Sequence, residues 1–152
     1  MTIFHVQFGV DPEFRAAIST ESTLVPRVRL STRGNAWHSK KFTAMTPFIQ
    51  AAIDAVHEPR KFLKVVWWKN VLSVGAAYKE HKHSGLWSFV YHLTDGSPLY
   101  FRAPDGIETA WPAVEGQIIV FPSRMPHRTD KISSGQRISI AGNLFYEKED
   151  AS

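Results

Sequence analysis

At 152 residues, 43% of them hydrophobic, the chain has enough apolar mass for one domain with a full core and too little for two ordinary ones. It contains no cysteine, which excludes disulfides, thiolate metal sites and a cysteine nucleophile together and leaves nitrogen and oxygen as the ligands for any metal. The net charge of +4 and the pI near 9.5 are spread in short groups such as Arg27/Arg29 and Lys40/Lys41, which pulls only weakly toward anionic partners.

No apolar run of membrane length and no secretory leader pattern occurs, so a soluble, cytoplasmic protein without a membrane partner is expected. Residues 3–10 alternate well enough to predict a strand. Asp11-Pro12-Glu13 then supplies an N-cap, a first-turn proline and an acid, predicting a short helix to about Ile18. Residues 25–30 read as an irregular strand, and the polar stretch after it as a loop holding Trp37 and His38. Thr46-Pro47 opens the clearest helix. Phe48, Ile49, Ala52, Ile53 and Val56 recur at helical spacing and give it one apolar face, which predicts packing against a sheet until Pro59 stops it.

From Phe62 onward the period becomes that of strands, predicted over 62–68, 71–78, 87–93, 99–102, 117–121 and 137–145. The expected turns are Lys69-Asn70, Asp95-Gly96, Pro104-Asp105-Gly106, Glu115-Gly116 and Ser133-Ser134-Gly135. Short strands at this spacing imply a mainly β sandwich or jelly-roll barrel in one domain spanning 1–152, with one or two supporting helices.

His81 and His83 lie two apart at a predicted strand end, so their imidazoles share a face and can reach one metal ion. A third imidazole, His127, follows the apolar run 117–121 after a break at Pro122. Arg137, ten residues on, is followed by Ser139 on the same strand face. An arginine fork holds a carboxylate through two parallel hydrogen bonds and the hydroxyl adds a third, so the set describes a site for an acid beside a metal. Three protein ligands leave open positions for a chelating 2-oxo acid and dioxygen, for which iron(II) is the usual occupant.

These residues resemble the Fe(II)/2-oxoglutarate-dependent oxygenases with a double-stranded β-helix. The matching pieces are NAWHS, WKNVLSVGAAYKEHKHSGLWSFVYHL, GQIIVFPSRMPH and RISIAGNLF. The resemblance implies that His81 and His127 bind iron and that Arg137 with Ser139 anchors the far carboxylate of the 2-oxoglutarate cosubstrate. The spacing is also similar to that of aspartyl/asparaginyl β-hydroxylases, by which His92 would approach the cosubstrate, with Tyr91 a candidate on the same strand. The implied activity is oxidation of an unactivated C–H bond of a small molecule or amino-acid-like substrate, with conversion of 2-oxoglutarate to succinate.

The family's usual pattern has Asp or Glu two residues after the first histidine, where this chain has His83. Two ligand sets follow: His83 is a third neutral ligand, or two histidines and water hold the iron. Glu80 should face away from His81. Asn70 and Arg124 are candidates for the substrate mouth.

A second reading is a cupin-type metal protein, since Gly75-x5-His81-x-His83 and Gly116-x5-Pro122 before His127 are similar to the two cupin motifs, without the glutamate expected after the paired histidines. Such a protein would be an isomerase, a dioxygenase independent of 2-oxoglutarate, or a small-molecule sensor. Arg137 separates the two readings, because only a 2-oxoglutarate enzyme needs an inward cation there. A nucleic-acid partner ranks last, for want of a basic face laced with aromatic residues. Neither the substrate nor the oligomeric state is written in a motif.

Overall fold

The computed structural model describes residues 2–19, 28–31, 46–57 and 62–146. The elements run β1 (Phe4–Gln7), α1 (Pro12–Ser19), β2 (Val28–Ser31), α2 (Thr46–Ala55), β3 (Phe62–Ser73), β4 (Trp87–His92), β5 (Gly96–Arg102), β6 (Glu108–Ala113), β7 (Gln117–Pro122), β8 (His127–Thr129) and β9 (Gln136–Tyr146). Trp37, His38, Pro59 and the C-terminal tail lie outside the described residues. No helix among the described residues is long and apolar enough to cross a membrane.

The strands form two antiparallel sheets, one of six strands in the order β1-β7-β4-β9-β3-β2 and one of three in the order β6-β5-β8. Side chains of the six-stranded sheet alternate between two apolar layers, as strand geometry requires. Phe89, Tyr91, Ile118, Val120, Ile140 and Leu144 point outward and pack with Phe14 of α1 and with Phe48, Ile49, Ala52 and Val56 of α2. Val90, Ile119, Phe121 and Ala141 point the other way and meet Leu99 and Phe101 of the small sheet, with Met125 beside them. This is the mainly β jelly-roll, or double-stranded β-helix, with two supporting helices.

Local chemistry explains the helix ends. The Asp11 carboxylate accepts the Glu13 amide at 2.9 Å, so α1 starts at the expected cap. α2 stops at Ala55, and His57 takes the left-handed conformation (φ 49°) common just past a helix end.

Two sequence expectations need correction here. Lys69-Asn70 is not a turn: β3 runs unbroken from Phe62 to Ser73 against β9, with Lys69 opposite Ile140 and Asn70 opposite Ser139. The predicted strand over 71–78 ends at Ser73, and the chain turns at Val74-Gly75 and leaves the sheet. Two strands had no expectation at all. β6 contains Pro112, tolerated because β6 is the edge of its sheet, and β8 is only three residues long.

Candidate functional site

A cavity of about 450 Å³ opens between the sheets, and His81, His83, His127, Arg137 and Ser139 all line it. His81 and His127 face each other across an isolated antiparallel bridge, their backbones exchanging hydrogen bonds of 3.0 and 2.9 Å. The amide of His83 donates to the Ser123 carbonyl at 2.8 Å. The two early histidines therefore sit on an extended segment tied to the start and the approach of β8, and the three rings converge. One ligand nitrogen from each lies within 4.8 Å of the others.

Hydrogen bonds fix which nitrogens face inward. His81 Nδ1 lies 2.7 Å from the Lys79 carbonyl and His127 Nδ1 lies 3.0 Å from the Met125 carbonyl. A carbonyl only accepts, so each Nδ1 carries the proton and each Nε2 keeps its lone pair, as a metal ligand requires. Burial pushes the His127 imidazole down to about 3, opposed by its bond to Met125 and reinforced by His81 and His83, so it is neutral and ready to coordinate at neutral pH. His83 Nε2 lies 3.1 Å from His127 Nε2. Two nitrogens each about 2.1 Å from one ion and at right angles about it would be about 3 Å apart, so the donor set fits a divalent transition metal with open positions.

Arg137 stands at the other end of the cavity, 4% exposed. Its Nη1 donates to the Ser97 carbonyl, and its Nη2 is buried with no hydrogen-bond partner among the described residues. Burial lowers its pKa to about 10, which still leaves it charged at neutral pH. A buried cation with an open donor is costly unless an anion meets it. Ser139 lies two residues along β9 on the same face and is also buried.

Tyr78 and Asn70 complete this end. The Tyr78 hydroxyl donates to Asn70 Oδ1 at 2.8 Å, and its amide donates to Thr129 Oγ1 at 2.8 Å. Burial raises the Tyr78 pKa, with Arg137 close enough to oppose the shift. Sequence reading placed Tyr78 at the end of the strand expected over 71–78 and gave it no role, whereas the chain leaves the sheet after Ser73 and carries Tyr78 to the cavity. Its place three residues before His81 was the one available signal.

The remaining expectations divide. His92 is fully buried on the inner face opposite Ser139, with both ring nitrogens unpartnered among the described residues. Burial, then the neighbouring Arg137, pushes it down to about 3. Tyr91 is not brought to the cavity: strand alternation turns it outward, where it stacks on Phe14 and donates to the Gly9 carbonyl at 2.5 Å. Glu80 turns away from the three imidazoles to pair with Arg102 at 2.7 Å. Arg124 is exposed and does not line the cavity.

No protein-family model matches the chain, and no curated protein matches it either. Solved structures do. A prolyl-4-hydroxylase from Pseudomonas putida superposes with a TM-score of 0.63 at 18% identity, covering 99% of this chain and 88% of its own. A 2OG-Fe(II) oxygenase family oxidoreductase from Burkholderia pseudomallei gives 0.64 at 11% identity, with 94% and 84% covered. The non-heme alpha-ketoglutarate-dependent carbocyclase of nogalamycin biosynthesis gives 0.63 at 14% identity, with 95% and 79% covered. At these identities the likeness is one of fold: the chain has the double-stranded β-helix of the 2OG-Fe(II) oxygenases, with three imidazoles and a buried arginine in its cavity.

Proposed function

We propose that the chain is an Fe(II)- and 2-oxoglutarate-dependent dioxygenase that oxidises an unactivated C–H bond of a small molecule. One oxygen atom would enter the substrate and the other the succinate left when 2-oxoglutarate loses carbon dioxide. The observation that carries this reading is Arg137, a buried cation whose Nη2 lacks a partner among the described residues, in the same cavity as three convergent imidazoles. His81, His83 and His127 would hold iron(II), which supplies the dioxygen chemistry that no side chain can perform.

The chain's own residues would orient and enclose the reactants. Arg137 Nη2 and the Ser139 hydroxyl would receive the far carboxylate of 2-oxoglutarate, with the Tyr78 hydroxyl beside them. The carbonyls of Lys79 and Met125 hold two imidazoles in the coordinating tautomer. Val90, Leu99 and Phe121 form apolar wall that limits water around the reacting atoms.

Anaerobic titration of the iron(II) protein with 2-oxoglutarate tests the reading. A visible charge-transfer band of a chelated 2-oxo acid is expected. No band at saturating ligand, with iron retained, would overturn the proposal and leave a cupin-type metal protein.

A further inference from the structure

We infer that Asn143 is a specificity-determining residue whose Nδ2 donates to a carboxylate oxygen of the primary substrate, making that substrate a small organic acid. The inference deepens the oxygenase reading and rests on it only for what happens after binding.

Asn143 lies on β9, on the same face as Arg137 and three inward positions further along, so the two Cα atoms are about 20 Å apart. Ser88 lies opposite it on β4. The Ser88 hydroxyl donates to Asn143 Oδ1 at 2.7 Å and is itself 2.8 Å from the Ser123 hydroxyl. Both serines are essentially fully buried. Ser123 also accepts the His83 amide through its carbonyl, which places this polar chain beside the metal-binding rings and away from Arg137.

Occupation of Oδ1 leaves Nδ2 as the group Asn143 has free, and it has no partner among the described residues. Asn143 is 8% exposed and that exposure is onto the cavity. An amide held in one orientation by two buried hydroxyls is a placed donor, and its Nδ2 opens onto the cavity, where a ligand acceptor can meet it. The carbon chain of 2-oxoglutarate has four C–C bonds of about 1.5 Å and spans at most about 6 Å between its terminal carbons. Anchored at Arg137 and reaching toward the histidines, it runs in the direction that leaves Nδ2 to a second molecule.

Charge then selects the class of acceptor. No aspartate or glutamate lines the cavity among the described residues, whereas Lys82, Arg128 and Arg137 do. Arg128 is satisfied by Glu108 at 2.7 Å and Asp130 at 2.8 Å, leaving Lys82 at the rim. The three imidazoles bring no negative charge to a divalent ion. A 2-oxoglutarate dianion offsets only part of this positive potential, so the second occupant is favoured as an anion. Trp68, whose ring lies 5.5 Å from that of His83, gives it a flat apolar neighbour.

The test uses the full chain loaded with zinc(II), a redox-inert stand-in, and three probes: 3-phenylpropanoate, its primary amide and its alcohol. Binding is followed by calorimetry with and without saturating 2-oxoglutarate. Wild-type protein should bind the acid in preference to the amide and the alcohol. Asn143→Leu, which keeps the volume and removes the donor, should weaken the acid roughly tenfold or more, and Asn143→Asp, which keeps the acceptor for Ser88, should weaken it further. Arg137→Ala should leave acid binding intact while losing 2-oxoglutarate. Thermal unfolding of each variant confirms that it folds. No preference for the acid in wild type, equal acid binding in wild type and Asn143→Leu, or acid binding that follows Arg137 instead would each overturn the inference. Failure of 2-oxoglutarate to bind wild-type zinc protein would instead strike the oxygenase reading, and the acid arms without 2-oxoglutarate would still judge Asn143.

Discussion

His83 Nε2 and His127 Nε2 face each other at 3.1 Å, one from an extended segment leaving β3 and the other from the first residue of β8. Without a metal, one of the two must hold a proton between them. A bound metal would take the lone pairs of both nitrogens instead. His83→Ala should therefore lower the affinity for a divalent metal by at least about tenfold, measured by competition with a colorimetric chelator. Unchanged affinity would mean that two histidines and water form the site. His127→Ala should abolish tight binding in either case.

Arg137→Ala should weaken 2-oxoglutarate and spare the metal, because its proposed partner is the carboxylate farthest from the ion. A charge-assisted contact from Arg137 Nη2 in a closed pocket contributes on the order of 2 to 3 kcal/mol, so affinity should drop roughly 30- to 150-fold, with Ser139→Ala costing less. Arg137→Lys should recover part of the loss, since an ammonium lacks the planar fork. Calorimetry on the zinc-loaded variants reads both effects, and an unaltered Kd in Arg137→Ala would remove the argument for a 2-oxoglutarate enzyme.

His92 supplies a pH dependence. Its pKa is about 3 in the folded protein because burial and then Arg137 oppose its charge, against roughly 6.5 in an unfolded chain. Between those values the unfolded state binds more protons. The stability is fully present above about pH 6.5 and is lost as pH falls, by up to about 1.4 kcal/mol per pH unit for this group. His127 of the metal-free protein adds a loss of the same sign. Urea denaturation of metal-free protein from pH 7.5 to 5 should show the decline, and His92→Leu should flatten it. The same slope in the variant would assign the titration elsewhere.

Gly116 holds the N-terminal strand against the sheet. Its carbonyl accepts the amides of Phe8 and Gly9 at 2.9 Å, and its φ is 84°. A Cβ there would lie 2.8 Å from Gly9 Cα and 3.0 Å from Gln7 Nε2. Gly106 has the same φ but open space around it. Gly106→Ala should thus cost only backbone strain, about 1 kcal/mol, while Gly116→Ala should cost clearly more because two backbones must separate. Thermal denaturation of the pair gives the difference, and equal losses would refute the close approach.

The convergence of three imidazoles was legible in the sequence because His81 and His83 alternate on one strand face and His127 follows a proline break. It could not sort Tyr91 from His92 for a physical reason. β4 reads WSFVYH and is buried on both faces, by helices outside and by the small sheet inside, so no polar-apolar alternation marks which side chains face the cavity. Lys69-Asn70 misled in the opposite way. A polar pair inside an apolar run looks like a turn, yet Asn70 is polar because it meets Tyr78 in the cavity. Tyr78 and Asn143 were hidden because each gains its meaning only where the fold assembles its partners, Asn70 and Thr129 in one case and Ser88 in the other.

The pairing of Phe4 with Val120 has a consequence in time. At about 5 to 20 residues synthesised per second, β1 waits roughly ten seconds for β7 to appear, and β3 waits for β9 in the same way. Phe4, Phe14 and the apolar face of α2 have no sheet to cover them during that interval. The three imidazoles meet only when β8 arrives to bridge His81. β9, which joins β3 to β4, is made later still, so any metal uptake in a growing chain would precede completion of the six-stranded sheet, and an early-appearing, long-uncovered apolar segment is where chaperone contact should concentrate.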